Sequence, residues 1–208
     1  MPGGRDQSAT SPFRVALGVG AAVAVAYTLL MGLLLHGGSN IRDFADMGSN
    51  FATQSTASPY LGLRDPAYVA HPPQQPGGFD GQFAYYLAVD PVHAVGYMGY
   101  PFIRYRRVLY PGLVYIVALG QPGAVPAALV LVNIAAIAAG SGILAFYLAA
   151  MGAPPWLALL YGLGPGAVSV VLNDLSEGVE WGLISAGLVL YLLGGRRRAL
   201  LPGARSSG

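Results

Sequence analysis

Three groups of side chains in this sequence have types and spacing suited to chemistry. The first is Gly78-Phe-Asp80-Gly-Gln82-Phe-Ala-Tyr-Tyr86-Leu-Ala, a carboxylate at the head of a short helical pattern with aromatic neighbours. The second is Arg104-Tyr-Arg106-Arg107-Val-Leu-Tyr-Pro111, three guanidinium groups at the edge of an apolar run. The third is Asn173-Asp174-Leu-Ser-Glu177, with Glu180 one turn further on, heading the last apolar segment. Guanidinium forks match phosphate oxygens and stabilise the charge of a departing phosphate. A carboxylate beside an apolar surface becomes a stronger general base as its pKa rises.

Each group also has a plainer explanation. Asp80 reads as a helix N-cap whose oxygen satisfies free amides of the Phe83 turn. The arginines read as side chains snorkelling from a helix end to lipid headgroups. Asp174 and Glu177 form a D-x-x-E capping box. Tyr85, Tyr86, Tyr97, Tyr100, Tyr105 and Tyr110 read as an interfacial aromatic belt, with stacking on sugar or lipid as the alternative. Glu180 is harder to explain by capping, because a carboxylate inside an apolar helix faces a cavity rather than lipid.

The elements that must position these groups are mostly membrane segments. Of 208 residues, 54% are hydrophobic and only 10% are charged, far below the roughly 25% of soluble domains. The net charge of +2 points to no nucleic acid, and the absence of cysteine removes disulfides, thiolate metal sites and cysteine nucleophiles. All basic side chains are arginine, and five of the nine acidic residues lie between Arg42 and Asp90. His36, His71 and His93 lack metal-ligand spacing, so the pattern requires no metal or other cofactor.

Residues 1–14 are a short polar tail, and 15–35 carry no charge over 21 positions, enough to cross about 30 Å of hydrocarbon as a retained anchor. Residues 36–107 are a long polar loop. Within it 41–52 are weakly helical, 53–78 are irregular, and about 79–89 form a short amphipathic helix on the bilayer surface, stopped by Asp90-Pro91. Apolar segments follow at 108–120, 124–150, 156–172 and 179–193, then a basic tail over 194–208. Residues 156–172 are interrupted by Gly162-Leu-Gly-Pro-Gly166, which predicts a broken or re-entrant segment lining a cavity. The expected fold is all-α: a polytopic membrane helix bundle of four or five segments, one of them broken or re-entrant, with a long first loop.

The three motifs, in this order and spacing, resemble the first extracytoplasmic loop and following helices of C-type glycosyltransferases. These polytopic enzymes take sugar from a polyprenyl-phosphate carrier; a more distant likeness is to glycosylphosphatidylinositol mannosyltransferases. The resemblance runs from the first span to the end of the chain. Such enzymes usually have many more spans, so the chain resembles an N-terminal half, a truncated frame, or one subunit of a split system. The resemblance implies that Asp80 is the general base on the acceptor hydroxyl, giving inversion at the sugar carbon, with Asp46 of Asp46-Met-Gly48 the second candidate. It implies that Arg104, Arg106 and Arg107 hold the carrier phosphate, with Asp174, Glu177 and Glu180 on the far wall and Gln82 and Tyr86 also binding substrate.

The expected partners are membrane lipid, a polyprenyl-phosphate-linked sugar, an unidentified acceptor, and a C-terminal half or partner subunit. The expected location is a bacterial cytoplasmic membrane. Both ends of the chain then face the cytoplasm, 156–172 dips in and returns, and the long loop lies outside. Five full spans with an external N-terminus are the alternative, which puts the arginine cluster in the cytoplasm. Two other functions compete: a non-catalytic membrane module that assembles with a partner or binds a carrier lipid, and a small-solute transporter.

Overall fold

The computed structural model describes residues 11–48, 78–94 and 101–199, the side chains of 101 and 195–199 excepted. Among them the chain is all-helical, and three helices are long and apolar enough to cross a membrane. The first is α1, Pro12–His36, opened by a proline whose missing N–H costs nothing in the first turn. A 3-10 turn over Ile41–Ala45 follows, fixed by a reciprocal capping box between Asn40 and Asp43. Helix α2 is Gly81–Val89, α3 is Pro101–Arg104, and α4 is Leu109–Val117. The second long helix is α5, Val125–Ala150. Two short helices, α6 (Ala158–Gly162) and α7 (Pro165–Leu172), precede the third, α8, Glu177–Ala199.

Helix α5 is the centre of the bundle, with α1, α4, α6 and α8 packed around it. Its side chains are apolar on every face, which suits a helix with neighbours on most sides. The α1–α5 crossing depends on glycine. A Cβ at Gly20 would stand 3.0 Å from the Ala138 carbonyl oxygen, and one at Gly142 would stand 3.0 Å from that of Ala16. Small residues let membrane helices approach this closely, and dispersion contacts then supply the association.

Sequence and structure part company at one segment. Residues 108–120 were expected to span, but α4 has nine residues, about 14 Å of helix against about 30 Å of hydrocarbon. It packs instead against α2 and α5. Residues 156–172 are expected to be broken or re-entrant, and the break is where the sequence puts it, at the glycine-rich interruption. They are two helices bent by 44° at a two-residue break, Leu163 and Gly164, and the described contacts carry them from one end of the bundle to the other. Pro155–Leu157 packs beside α1 and α5 where α5 ends, and the Gly162 carbonyl accepts from Tyr27 Oη at 2.8 Å, halfway along α1. The Asn173 carbonyl then reaches Gly81 at the far end. Pro165 has no N–H to continue the ladder, so the break frees carbonyls, and Tyr27 satisfies one of them. The bundle thus has three helices long enough to cross a membrane, or four if this bent pair is one span, with the first residues of α1 and the last of α8 at the same end.

Two further expectations change. Helix α2 was expected to lie amphipathically on the bilayer; all nine of its residues are buried. It has no polar face to float, since Gln82 is its one strongly polar side chain. Tyr85, Tyr86 and Tyr110 are fully buried core residues rather than an interfacial belt, with the Tyr85 and Tyr86 rings edge to face at 5.7 Å. Tyr97 and Tyr100 lie outside the described residues. Helix α8 also continues through Arg196, Arg197 and Arg198, all good helix formers, where a tail was expected from 194.

Candidate functional site

Four segments far apart in sequence meet at the end of the bundle where α8 begins. The Phe79 N–H donates to the Asp46 carbonyl at 3.1 Å, and the Gly48 N–H donates to Gln82 Oε1 at 3.2 Å. Gly81 rests directly on the carbonyls of Ala45 and Asn173. The start of α2 is therefore wedged between the 3-10 turn and the α7–α8 connection. The α3–α4 corner lies beside it and supplies the arginines.

These elements enclose a cavity of about 220 Å³. Asp80, Phe83, Ala84 and Leu87, at helical spacing along α2, form one wall. Ile103, Arg104 and Arg107 form the second, and Tyr110, Pro111 and Ser176 close the inner end. The polar groups gather at the mouth. Arg104 Nη1 lies 3.7 Å from Asp80 Oδ1, and Arg107 Nη1 lies 3.5 Å from Asp80 Oδ2. Arg107 also reaches across to Glu177 Oε1 at 3.4 Å and, through Nε, to Glu180 Oε1 at 3.8 Å. One guanidinium is thus shared by three carboxylates from two sides of the cavity. Glu180 is held in turn by Ser176 Oγ at 3.2 Å.

Arg104 is the more enclosed of the two arginines and stacks over the Phe83 ring. Burial lowers the pKa of its guanidinium, and the Asp80 carboxylate works in the opposite direction. An arginine does not give up its proton under either influence, so the wall of the cavity carries a fixed cation.

Asp80 stands at the N-cap position but does not cap. Its backbone is helical (φ −66°, ψ −19°), and its side chain bonds no amide of the first turn. The carboxylate instead faces the arginines, 63% exposed at the cavity mouth. Asp46 plays a different part. It sits left-handed (φ 44°) at the end of the 3-10 turn and holds α2 through its carbonyl, while its carboxyl, raised in pKa by burial, lies outside the cavity lining. Gln82 and Tyr86 pack beneath the cavity rather than along its wall. Arg106 is exposed and outside the ion pairs among the described residues.

Asp174 does not cap α8 either. At φ 47° the chain turns left-handed and directs its carboxyl into the bundle, where it is fully buried. Neither oxygen makes a well-formed hydrogen bond among the described residues, although the Asn133 amide is close enough to favour the ionised form. That amide donates to Tyr110 Oη at 2.8 Å, and Tyr110 donates to the Leu129 carbonyl at 3.1 Å. Burial raises the Asp174 carboxyl well above its ordinary 3.8, with the Asn133 amide opposing. A carboxyl whose pKa is raised by folding favours the folded state fully below its unfolded value. That advantage disappears as pH climbs through the folded value. The contribution of Asp174 to wild-type stability should therefore fall as pH rises from 3.8, by up to about 1.4 kcal/mol per unit. Asp174→Asn should remove this slope, so its gain over wild type vanishes at acid pH and grows toward neutral. Thermal unfolding in detergent across pH measures it; parallel profiles would refute it.

Asn133 and Tyr110 were not singled out as a polar pair by the sequence. The usable signal was Asn133 itself, the only amide side chain in the 26 residues of α5. Comparison with protein-family models, with curated proteins and with solved structures finds no match to this chain. The architecture is that of a helical membrane protein.

Proposed function

We propose that this cavity binds a polyprenyl-phosphate-linked sugar and that the protein transfers the sugar, with inversion, to an acceptor outside a bacterial cytoplasmic membrane. The observation carrying this reading is the pairing of Asp80 with Arg104 and Arg107 at the mouth of a cavity whose wall is apolar. Cation and carboxylate at the mouth suit a phosphate and a reacting hydroxyl, while Phe83, Leu87, Ile103 and Pro111 suit the first isoprene units. The carrier phosphate takes over the guanidinium groups now shared with carboxylates. Asp80, released, accepts the acceptor's hydroxyl proton. The acceptor oxygen bonds to the anomeric carbon from the face opposite the phosphate, the bond from that carbon to the phosphate oxygen breaks, and the departing charge stays on Arg104 and Arg107. Glu177 and Glu180, freed from Arg107, receive the sugar hydroxyls.

A non-catalytic carrier-lipid binder uses the same cavity without the proton transfer. It is favoured by one observation, that Asp80 is already paired with both arginines. Both readings place the cavity outside the cell, with the arginine-rich end of α8 inside. Since the chain has no cysteine, Phe79→Cys, 58% exposed beside Asp80, reports the side directly. A membrane-impermeant maleimide should label it in intact cells; labelling only after lysis would overturn this placement and the transfer reaction with it.

A further inference from the structure

At the opposite end of the bundle a second cavity opens sideways between α1, α5 and α8, with a volume of about 720 Å³ and an entirely apolar lining. It exists because the facing positions are small: Ala16, Gly20 and Ala21 on α1, and Ala138, Ala139 and Gly142 on α5. Phe13, Phe146 and Leu193 stand at its outer end. Along α1 the lining runs from Phe13 to Ala24, about 16 Å at helical rise and close to half of a 30 Å hydrocarbon core. The groove therefore has the depth of one leaflet. Its outer end lies beside Arg14, exposed in the first turn of α1, and the α8 backbone runs on from Leu193 into the sequence Arg196-Arg197-Arg198.

We propose that this groove is a binding site for an anionic glycerophospholipid of the leaflet at the arginine-rich end, with one acyl chain between α1, α5 and α8 and the headgroup phosphate among the arginines. The site is separate from the Asp80 cavity and independent of the reaction assigned to it. A saturated or kinked acyl chain fills an apolar slot that water leaves dry, and each arginine near the surface adds attraction for an anionic headgroup.

The test uses the full chain reconstituted in vesicles of equimolar phosphatidylglycerol and phosphatidylcholine, then released for native mass spectrometry. Wild type should retain lipid, with phosphatidylglycerol enriched roughly five-fold or more. Filling the groove by Ala21→Phe with Ala139→Phe, both exposed positions in its lining beside the glycine crossing, should abolish retention. Arg14→Gln combined with glutamine at 196–198 should keep a lipid but lose the preference. Wild type that retains no lipid, or retains both lipids equally, overturns the proposal even if a variant fails to fold. So does undiminished retention by the filled variant, or a groove protected by a second copy or another membrane helix.

Discussion

Gly81→Ala should destabilise the protein by about 1–3 kcal/mol, although alanine is the better helix former. The added methyl would collide with the Asn173 carbonyl and stand 3.1 Å from that of Ala45. Both obstacles are backbone, so neither can swing aside as a side chain would. The least costly relief is for the α7–α8 connection to retreat, carrying Glu177 and Glu180 away from Arg107. Loss of stability and opening of the cavity should therefore come together. Gly112→Ala in α4 is the control, because a methyl there meets nothing within 4 Å; it should be neutral or stabilising by about 0.5–1 kcal/mol. Thermal unfolding of the two variants side by side decides the matter. Equal behaviour would mean that the three-segment junction does not hold the site.

The second large effect is expected at Arg107. Arg107→Gln removes the group that faces Asp80, Glu177 and Glu180 at 3.4–3.8 Å. These pairs are partly exposed, so stability should change by less than about 1 kcal/mol. Affinity for a polyprenyl phosphate should fall about 10- to 100-fold, the usual size of a charge-assisted hydrogen bond. Binding of the neutral polyprenol should be nearly unchanged. A titration of both lipids against both proteins separates charge recognition from apolar burial. If the variant holds the phosphate as tightly as wild type, Arg107 serves only to tie the cavity walls together.

Much of the architecture was legible in the sequence because membrane spans are long and one-dimensional. The uncharged run over 15–35 and the apolar run over 124–150 mark α1 to within three residues and α5 to within one. The first carboxylate, the arginines and the acidic cluster were each visible as patterns, and the structure brings Asp80, Arg104, Arg107, Glu177 and Glu180 together. What periodicity could not supply was three-dimensional. The amphipathic pattern over about 79–89 identifies a helix, yet it does not say whether anything covers the other face of α2. The D-x-x-E pattern at Asp174 predicts a cap, but a left-handed backbone at Asp174 reverses the side chain, and only the packed junction sets that angle. Hydrophobic length also misplaced the crossing. α4 is apolar but stops at nine residues, whereas the glycine-rich interruption at 162–166 does break its segment, as a 44° bend between α6 and α7.

The most direct test is release of sugar from its carrier. Purified protein in vesicles is given a panel of polyprenyl-phosphate sugars labelled in the sugar, with hydroxyl acceptors on the outside, and label leaving the lipid phase is counted. Wild type should release label from at least one donor. Asp80→Asn should lower that rate by about 10²–10⁴-fold, the range of general-base catalysis, while the protein stays folded. Stability should change by less than about 1 kcal/mol, because Asp80 makes no capping bond and its pairs with Arg104 and Arg107 are partly exposed. Undiminished release by Asp80→Asn, or none by wild type across the panel while the carrier still binds, would contradict catalysis and leave a carrier-lipid binder.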